Sequence, residues 1–198
     1  MLRIIGVAHR AQSHRPGPDA TPAQQAFTGC LNRSIHAVPP AFIAEENSEE
    51  ALAERQETSI AERIADEEEI EHRFCDPNRE QRAALHYRDG QTIEIQMLMD
   101  NDGGLSDEEI HLEARAIELG HYFPIRERFW LDRLDGCREH DVIFICGNAH
   151  IEGFTALLDR EGIRYEIVER GIGVTQAEHD DFRRIVEYLE AHPELRNG

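Results

Sequence analysis

The sequence predicts an α/β fold in which helices flank a mostly parallel central sheet. Short apolar runs, of which Asp141–Cys146 is the clearest, alternate along the chain with longer segments of helical periodicity. This alternation favours parallel strands, because a helix can carry the chain back across the sheet after each strand. A length of 198 residues suits one domain. We therefore expect residues 1–198 to form a single domain.

The elements of the first half follow from local signals. Thr21 is a typical helix N-cap, and Pro22 suits the first helical position. Between Ser48 and Glu69, apolar residues and alanines recur at helical intervals. In chain order the predicted elements are a strand over 2–8, a loop over 9–21, a helix over about 22–36, a strand over 41–45, a helix over 48–69, a strand over 71–75 and a helix over 79–87.

Residues 88–105 have the weakest pattern, and we interpret them as a mobile loop or an insertion. Thr92–Met97 fits a strand as well as a helix, and Asp100–Gly104 reads as a loop. After this segment, Ser106 is a helix N-cap and Gly120 a helix end. The remaining predicted elements are helices over 106–119, 124–134, 151–161 and 176–191 and strands over 141–146 and 164–168.

The charge of the chain excludes several classes of partner. Acidic residues outnumber basic ones by 40 to 21, every basic residue is an arginine, and the net charge is −19. Nucleic acids and anionic membrane surfaces repel such a protein. No apolar run approaches the ~20 residues that span a bilayer, and the N-terminus lacks the features of a signal peptide. We therefore expect a cytoplasmic protein with no nucleic-acid or membrane partner.

The cysteines give no sign of a zinc or redox motif. The four cysteines are widely spaced and form no CxxC pair. In a cytoplasmic protein we expect them to be reduced and to lie in or near the core. The sequence also lacks the GxSxG, GxxxxGK[ST], HExxH and GxGxxG signatures, which disfavours serine hydrolases, P-loop NTPases and Rossmann oxidoreductases.

Two GxxH motifs lie where predicted strands end. Gly6–His9 completes the first strand, and Gly147–His150 follows the strand over 141–146. Ligands of open α/β sheets bind at the carboxyl ends of the strands. A glycine there lets the backbone approach another group closely, and the histidine can then lie over the strand end. A histidine in such a position can also serve only to cap a helix or bond a carbonyl.

Acidic residues follow two further predicted strands. Glu45 and Glu46 follow one, and Asp76 follows another. If these strands are parallel, the acids meet His9 and His150 in one crevice. Imidazole and carboxylate groups together are suitable ligands for a divalent zinc, manganese or cobalt ion. We therefore expect a metal site formed by His9, Glu45, Asp76 and His150, with Glu45 or Glu46 as a base.

The paired motifs resemble those of the TIKI/TraB/ChaN-like superfamily, which includes metal-dependent proteases, erythromycin-esterase-like hydrolases and haem-binding proteins. The superfamily has an arginine-initiated helix before its second GxxH motif. Here Arg126 matches that arginine, Trp130 and Leu134 match apolar positions, and Glu127 stands in place of the usual asparagine. The stretch from Gly147 to Gly162 is similar to the superfamily's ending. The resemblance is best over residues 120–170 and thinner over 1–46.

The resemblance implies functional roles for His9, Glu45, Arg126 and His150. Arg126 would stabilise an oxyanion or hold a substrate carboxylate, or else pair with an acid such as Glu45. The function expected is a metal-dependent hydrolase whose substrate is a small molecule or peptide, cleaved at an ester, an amide or a peptide bond. Two alternatives stay open. One is a non-catalytic module that binds haem or another small ligand. The other is an acidic interaction domain that uses the helix over 45–71.

Overall fold

The computed structural model describes residues 1–15 and 19–197, so part of the predicted loop over 9–21 lies outside the described residues. The chain divides into two compact units. The first comprises Met1–Arg79 and Glu127–Val174, and the second comprises Glu80–Arg126 and Thr175–Gly198.

The first unit contains the predicted parallel sheet, which confirms the α/β class. Five parallel strands lie in the order β5-β3-β6-β1-β7. A separate antiparallel ribbon pairs β2 with β4. The strands are β1 (Leu2–Val7), β2 (Ser13–His14), β3 (Phe42–Glu45), β4 (Thr58–Ser59), β5 (Glu71–Phe74), β6 (Val142–Gly147) and β7 (Tyr165–Ile172).

Helices connect the strands and make up most of the second unit. The α-helices described are α1 (His9–Gln12), α2 (Pro22–Ala37), α3 (Glu49–Arg55), α4 (Ile60–Glu67), α5 (Arg79–Ala84), α6 (Gly90–Asp100), α7 (Asp107–Ile117), α8 (Phe123–Leu131), α9 (Ile151–Arg160) and α10 (Gln176–Ala191). Among the described residues, no helix is both long and apolar enough to cross a membrane.

Each face of the sheet has its own apolar core. Leu2 and Ile4 of β1 face a cluster that contains Trp130 of α8 and Phe154 of α9. Ile5 of β1 faces the opposite cluster, which contains side chains of α2 and α4. Successive side chains of a strand point to opposite faces, so a strand covered on both sides must be apolar throughout. This is why β1 and β6 were readable as nearly unbroken apolar runs.

The predicted helix over 48–69 is wrong, because the chain breaks there into α3, β4 and α4. Gln56 adopts a left-handed conformation with φ 55° and ends α3. The Ser59 side chain then accepts a hydrogen bond from the backbone N–H of Glu62 and caps α4. Helical periodicity continues across the break, so the pattern of apolar residues hid it.

Four other local predictions are corrected. His9–Gln12 is a short helix rather than loop. Residues 90–100 form α6. Its N-cap is Asp89, whose side chain accepts a hydrogen bond from the backbone N–H of Thr92. Gly120 does not end a helix, since a π-helical turn over Glu118–Tyr122 links α7 to α8. The last strand also extends to Ile172, because it pairs along β1 with two register shifts.

In the second unit, α7 packs against α6 and α10. Ala116 of α7 and Ile185 and Leu189 of α10 form a small buried cluster. The Ser106 N-cap has the predicted capping role and forms a full capping box with Glu109.

Candidate functional site

Glu46 is the centre of a cluster at the carboxyl edge of the sheet. Its Oε1 lies 3.5 Å from Nε2 of His150 and 3.7 Å from Nε2 of His9. Its Oε2 accepts a hydrogen bond from the backbone N–H of Gly147. The order β3-β6-β1 explains the meeting, because the chain segments that follow these three strands leave the sheet side by side. The two predicted histidines thus converge on one carboxylate.

His150 is buried and is held from two sides. Its Nδ1 lies 3.0 Å from Oε1 of Glu127, and both side chains are at most 4% exposed. The indole of Trp130 meets the imidazole edge to face, with ring centroids 4.6 Å apart. Because a carboxylate only accepts hydrogen bonds, Nδ1 carries the proton. In a neutral ring, Nε2 then presents its lone pair toward Glu46.

His9 differs from His150 in its exposure. Its side chain is 64% exposed, whereas the Glu46 side chain that it faces is fully buried. His9 therefore stands at the solvent side of the cluster and His150 at the protein side. A molecule that enters from solvent meets His9 first.

Three glycines allow the close approaches at this edge. A Cβ on Gly147 would lie 3.1 Å from Glu46 Oε2 and from His9 Nε2. A Cβ on Gly153 would lie 2.7 Å from both carboxylate oxygens of Glu127. A Cβ on Gly6 would overlap Ile151 at 2.2 Å. Crowding therefore explains the glycines of both GxxH motifs. Gly153 leaves space for the carboxylate of Glu127, which contacts His150.

Glu45 points into a different, buried network. Its carboxylate is 3.0 Å from Nε2 of His72 and accepts hydrogen bonds from the Ser59 hydroxyl and from Asn47 Nδ2, the latter at 2.9 Å. Adjacent side chains of a strand point to opposite faces. Glu45 therefore lies on the face where Ser59 caps α4, and Glu46 lies on the face with Trp130 and His150.

Asp76 contacts Trp130, and Arg126 lies near Tyr87. Asp76 Oδ1 accepts a hydrogen bond of 3.1 Å from the Trp130 indole. Arg126 belongs to the second unit, where its guanidinium carbon lies 5.8 Å from the centroid of the Tyr87 ring. Asp76 thus supports the His150 pocket through Trp130, and the expected role of Arg126 stays a prediction.

The predicted ligand set of His9, Glu45, Asp76 and His150 is not assembled. Within the described ranges, no group of three or more His, Cys, Asp or Glu side chains is arranged to hold a metal ion. Glu46, which sequence reasoning assigned only as a base, takes the place beside both histidines that was expected for Glu45.

Cys75 lies next to this edge, and its thiol is inert. Burial raises the pKa of Cys75 to about 12, and the charges of Arg133 and Arg73 oppose this shift only in part. The thiolate is the nucleophilic form of cysteine, and it is scarce at neutral pH when the pKa is this high. All four cysteines are buried and free. Cys75 is therefore not the nucleophile of this site.

Sequence reasoning missed Glu127 and His72. Glu127 was noted only as a departure from asparagine in the superfamily pattern, although its Oε1 lies 3.0 Å from Nδ1 of His150. Its spatial partner Gly153 lies three residues beyond His150, which is one helical turn on. A glycine at this spacing indicates that another group packs closely against the helix. It does not indicate that this group is Glu127.

Comparison of the chain with family models, curated proteins and solved structures gives no match.

Proposed function

We propose that this protein is a hydrolase that acts at the cluster of His9, Glu46 and His150 and uses a divalent ion of the zinc, manganese or cobalt type. One observation carries the proposal: two imidazole Nε2 atoms face the same buried carboxylate oxygen at 3.5 and 3.7 Å. The sequence resemblance to metal-dependent hydrolases supports the same class of activity.

A cation between the imidazole rings and Glu46 would be electrostatically favourable. Glu46 is 1% exposed, and a buried carboxylate is costly unless positive charge or hydrogen bonds offset the lost hydration. A neutral imidazole that donates Nδ1–H to Glu127 turns its Nε2 lone pair toward Glu46, and two electron-rich atoms repel each other. Either a proton on the imidazole or a metal ion relieves this repulsion.

The donor types suit a divalent ion, although no group of three or more ligands among the described residues is already arranged to hold one. Imidazole nitrogen and carboxylate oxygen are preferred ligands of zinc, and two donors held at about 2.1 Å by one tetrahedral ion lie roughly 3.4 Å apart. The 3.5 Å separation of His150 and Glu46 is close to this value. His9 is slightly farther away, at 3.7 Å, and is the exposed member of the set. A bound ion would acidify water and polarise a carbonyl.

The chain's own residues have distinct tasks in this proposal. Glu127 accepts a hydrogen bond from Nδ1–H and so fixes the tautomer of His150, as carboxylates behind metal-binding histidines do. Gly147 N–H holds one oxygen of Glu46 and leaves the other toward the histidines. Trp130 packs on the His150 ring and limits its rotation. The role that the resemblance implies for Arg126, stabilising negative charge on the substrate, stays a separate prediction.

Elemental analysis of protein purified without a metal-affinity tag tests the proposal. We expect one divalent ion per chain in the wild type, and less than a tenth of that in Glu46→Gln and His150→Ala. His36→Ala is the matched control, because His36 is an exposed helix histidine that also pairs with a glutamate, Glu68, at 3.9 Å. Hydrolysis of a panel of small esters, amides and peptides should follow the metal content.

Two results would reject a metal-dependent hydrolase. One is wild-type protein that takes up no stoichiometric zinc, manganese or cobalt even when each is supplied in dialysis. The other is hydrolysis that His150→Ala leaves unchanged. Circular dichroism of each variant separates loss of function from loss of fold.

A metal-independent acid–base site is a second candidate, favoured by the carboxylates on both sides of His150. Glu127 lies 3.0 Å from one ring nitrogen, and Glu46 lies 3.5 Å from the other. A histidine oriented by one carboxylate is a suitable proton carrier. Hydrolysis that persists in metal-stripped protein with a chelator present, and that is lost in Glu127→Gln, would favour this candidate over the metal-dependent one.

A further inference from the structure

A cavity in the first unit opens beside the candidate site. Its volume is about 370 Å³, which is within the range of small-molecule sites. His9 lines this cavity and also faces Glu46 at 3.7 Å. A molecule in the cavity is therefore one imidazole ring away from the carboxylate at the centre of the site.

The charge of the cavity wall is opposite to that of the protein. Arg10, Arg15 and Arg55 line it, against Asp19 and Glu57. The whole chain has a net charge of −19, so three arginines at one cavity stand out against acidic surroundings. An anion would be repelled by the molecule as a whole and attracted only where positive charge is concentrated.

The single carboxylate of Glu57 contacts two of these arginines. Glu57 Oε1 lies 3.3 Å from Nε of Arg15, and its Oε2 lies 3.1 Å from Nε of Arg55. Ser13 also donates a 2.7 Å hydrogen bond to Oε2. One negative charge cannot neutralise two guanidinium groups, and the whole lining has three arginines against the two acids Asp19 and Glu57. Glu57 instead fixes where both guanidinium groups lie.

The geometry of these ion pairs leaves donors for a ligand. Both contacts to Glu57 use the Nε–H of the arginine, whereas a guanidinium group has five N–H donors. Arg55 also donates from Nη2 to Asn47 at 3.4 Å. The Arg15 side chain is 67% exposed and that of Arg55 is 47% exposed. Arginine forks match the oxygens of carboxylates and phosphates.

We propose that Arg15 and Arg55, with Arg10 on the same wall, form a subsite for a carboxylate or phosphate group of the substrate. The statement that the anion belongs to a substrate rests on the proposed function, whereas the anion site itself does not. The expected substrate thus carries a negative group at one end, held by the arginines, and its scissile bond beyond His9, near Glu46.

Binding of two simple anions tests this inference on the full chain. Isothermal titration calorimetry with inorganic phosphate and with succinate, at low ionic strength, compares the wild type with the double variant Arg15→Gln/Arg55→Gln. We expect at least one anion to bind the wild type, and the double variant to bind it about tenfold or more weakly, since charge-assisted hydrogen bonds are lost. The preferred anion distinguishes carboxylate from phosphate.

Matched variants separate this subsite from general charge effects and from the proposed hydrolase. Arg63→Gln removes an exposed arginine that pairs with Glu67 at 2.6 Å, away from the cavity lining, and should leave anion binding unchanged. His150→Ala should also bind the anion as the wild type does, while it loses metal and hydrolysis.

Three results would overturn the subsite: neither anion binds, the double variant binds as tightly as the wild type, or Arg63→Gln weakens binding equally. Anion binding that requires Arg15 and Arg55 in a protein without metal or hydrolysis would instead reject the proposed function and retain the anion site.

Discussion

The contact between Glu127 and His150 should contribute a large, measurable coupling to stability. The two side chains are 4% and 2% exposed, and the Nδ1–Oε1 distance is 3.0 Å. With an effective dielectric constant of about 20, two full charges at this distance attract by roughly 5 kcal/mol, which is an upper bound. A hydrogen bond to a single charged group contributes about 1.5–3 kcal/mol. We therefore expect a coupling of about 2–3 kcal/mol.

A double-mutant cycle measures this value. The variants are Glu127→Leu, His150→Leu and the double variant, and the free energy of unfolding comes from urea titration at pH 7. Each single variant leaves a buried polar partner, which costs about 3–5 kcal/mol, whereas the double variant removes both groups. Both the His150→Leu variant and the double variant leave Glu46 without His150, so this cost cancels in the coupling energy.

A second cycle on an exposed ion pair is the control. Arg63 and Glu67 are 2.6 Å apart, closer than Glu127 and His150, but their side chains are 55% and 60% exposed. We expect a coupling below about 0.5 kcal/mol there, because water screens exposed pairs. A coupling at Glu127 and His150 no larger than that of the control would refute the idea that Glu127 holds the histidine.

Three further outcomes follow from the described contacts. Gly147→Ala should abolish metal uptake while it shifts the melting temperature by only a few degrees, because the new Cβ crowds the site at 3.1 Å and the backbone there has an ordinary φ of −57°; Gly104→Ala, where the Cβ meets nothing closer than 3.6 Å, should change neither in the same two assays. Cys75 should resist alkylation at pH 8 in native protein and react after urea unfolding, since burial raises its pKa to about 12; rapid native labelling seen by mass spectrometry would contradict this. For Glu57, burial acts to raise the pKa, but the hydrogen bond from Ser13 and the nearby arginine charges outweigh it and lower the pKa. The resulting stabilisation is present above the unfolded-state pKa and is lost as pH falls through the folded-state pKa, so Glu57→Gln should destabilise the protein at pH 7 and not at pH 3 in urea titrations.

The centre of the sheet was predictable because β1 and β6 are buried on both faces. Such strands must be apolar at every position. β1 and β6 meet this condition except at Arg3, whose guanidinium group donates hydrogen bonds to the carbonyls of Ser34 and Val38. The break at Gln56 was not predictable in the same way. A left-handed glutamine is rare, and the residues on both sides of it keep helical periodicity.

The site was predictable in part. Strand ends and glycine spacing indicated His9 and His150, and the structure brings both to one carboxylate. The sequence also contains the information that Glu46, rather than Glu45, faces the two histidines. Phe42 and Ala44 share a face, so the next residue on that face is Glu46. Glu127 was not predictable, since a contact between α8 and the turn that precedes α9 leaves no periodic signal in the sequence.

The alternation of β3 makes the site sensitive to the length of one short segment. Glu46 still belongs to the ladder, because its N–H bonds the carbonyl of Ile145 at 2.8 Å. Deletion of one of the residues Phe42–Ala44 would shift the residues that follow by one position, so that Glu46 would take the place of Glu45 and point to the other face. The same deletion in the loop before Phe42 would leave both in place. Natural variation in this chain should therefore tolerate changes of length in the connection over 38–41 and none in the five positions that follow.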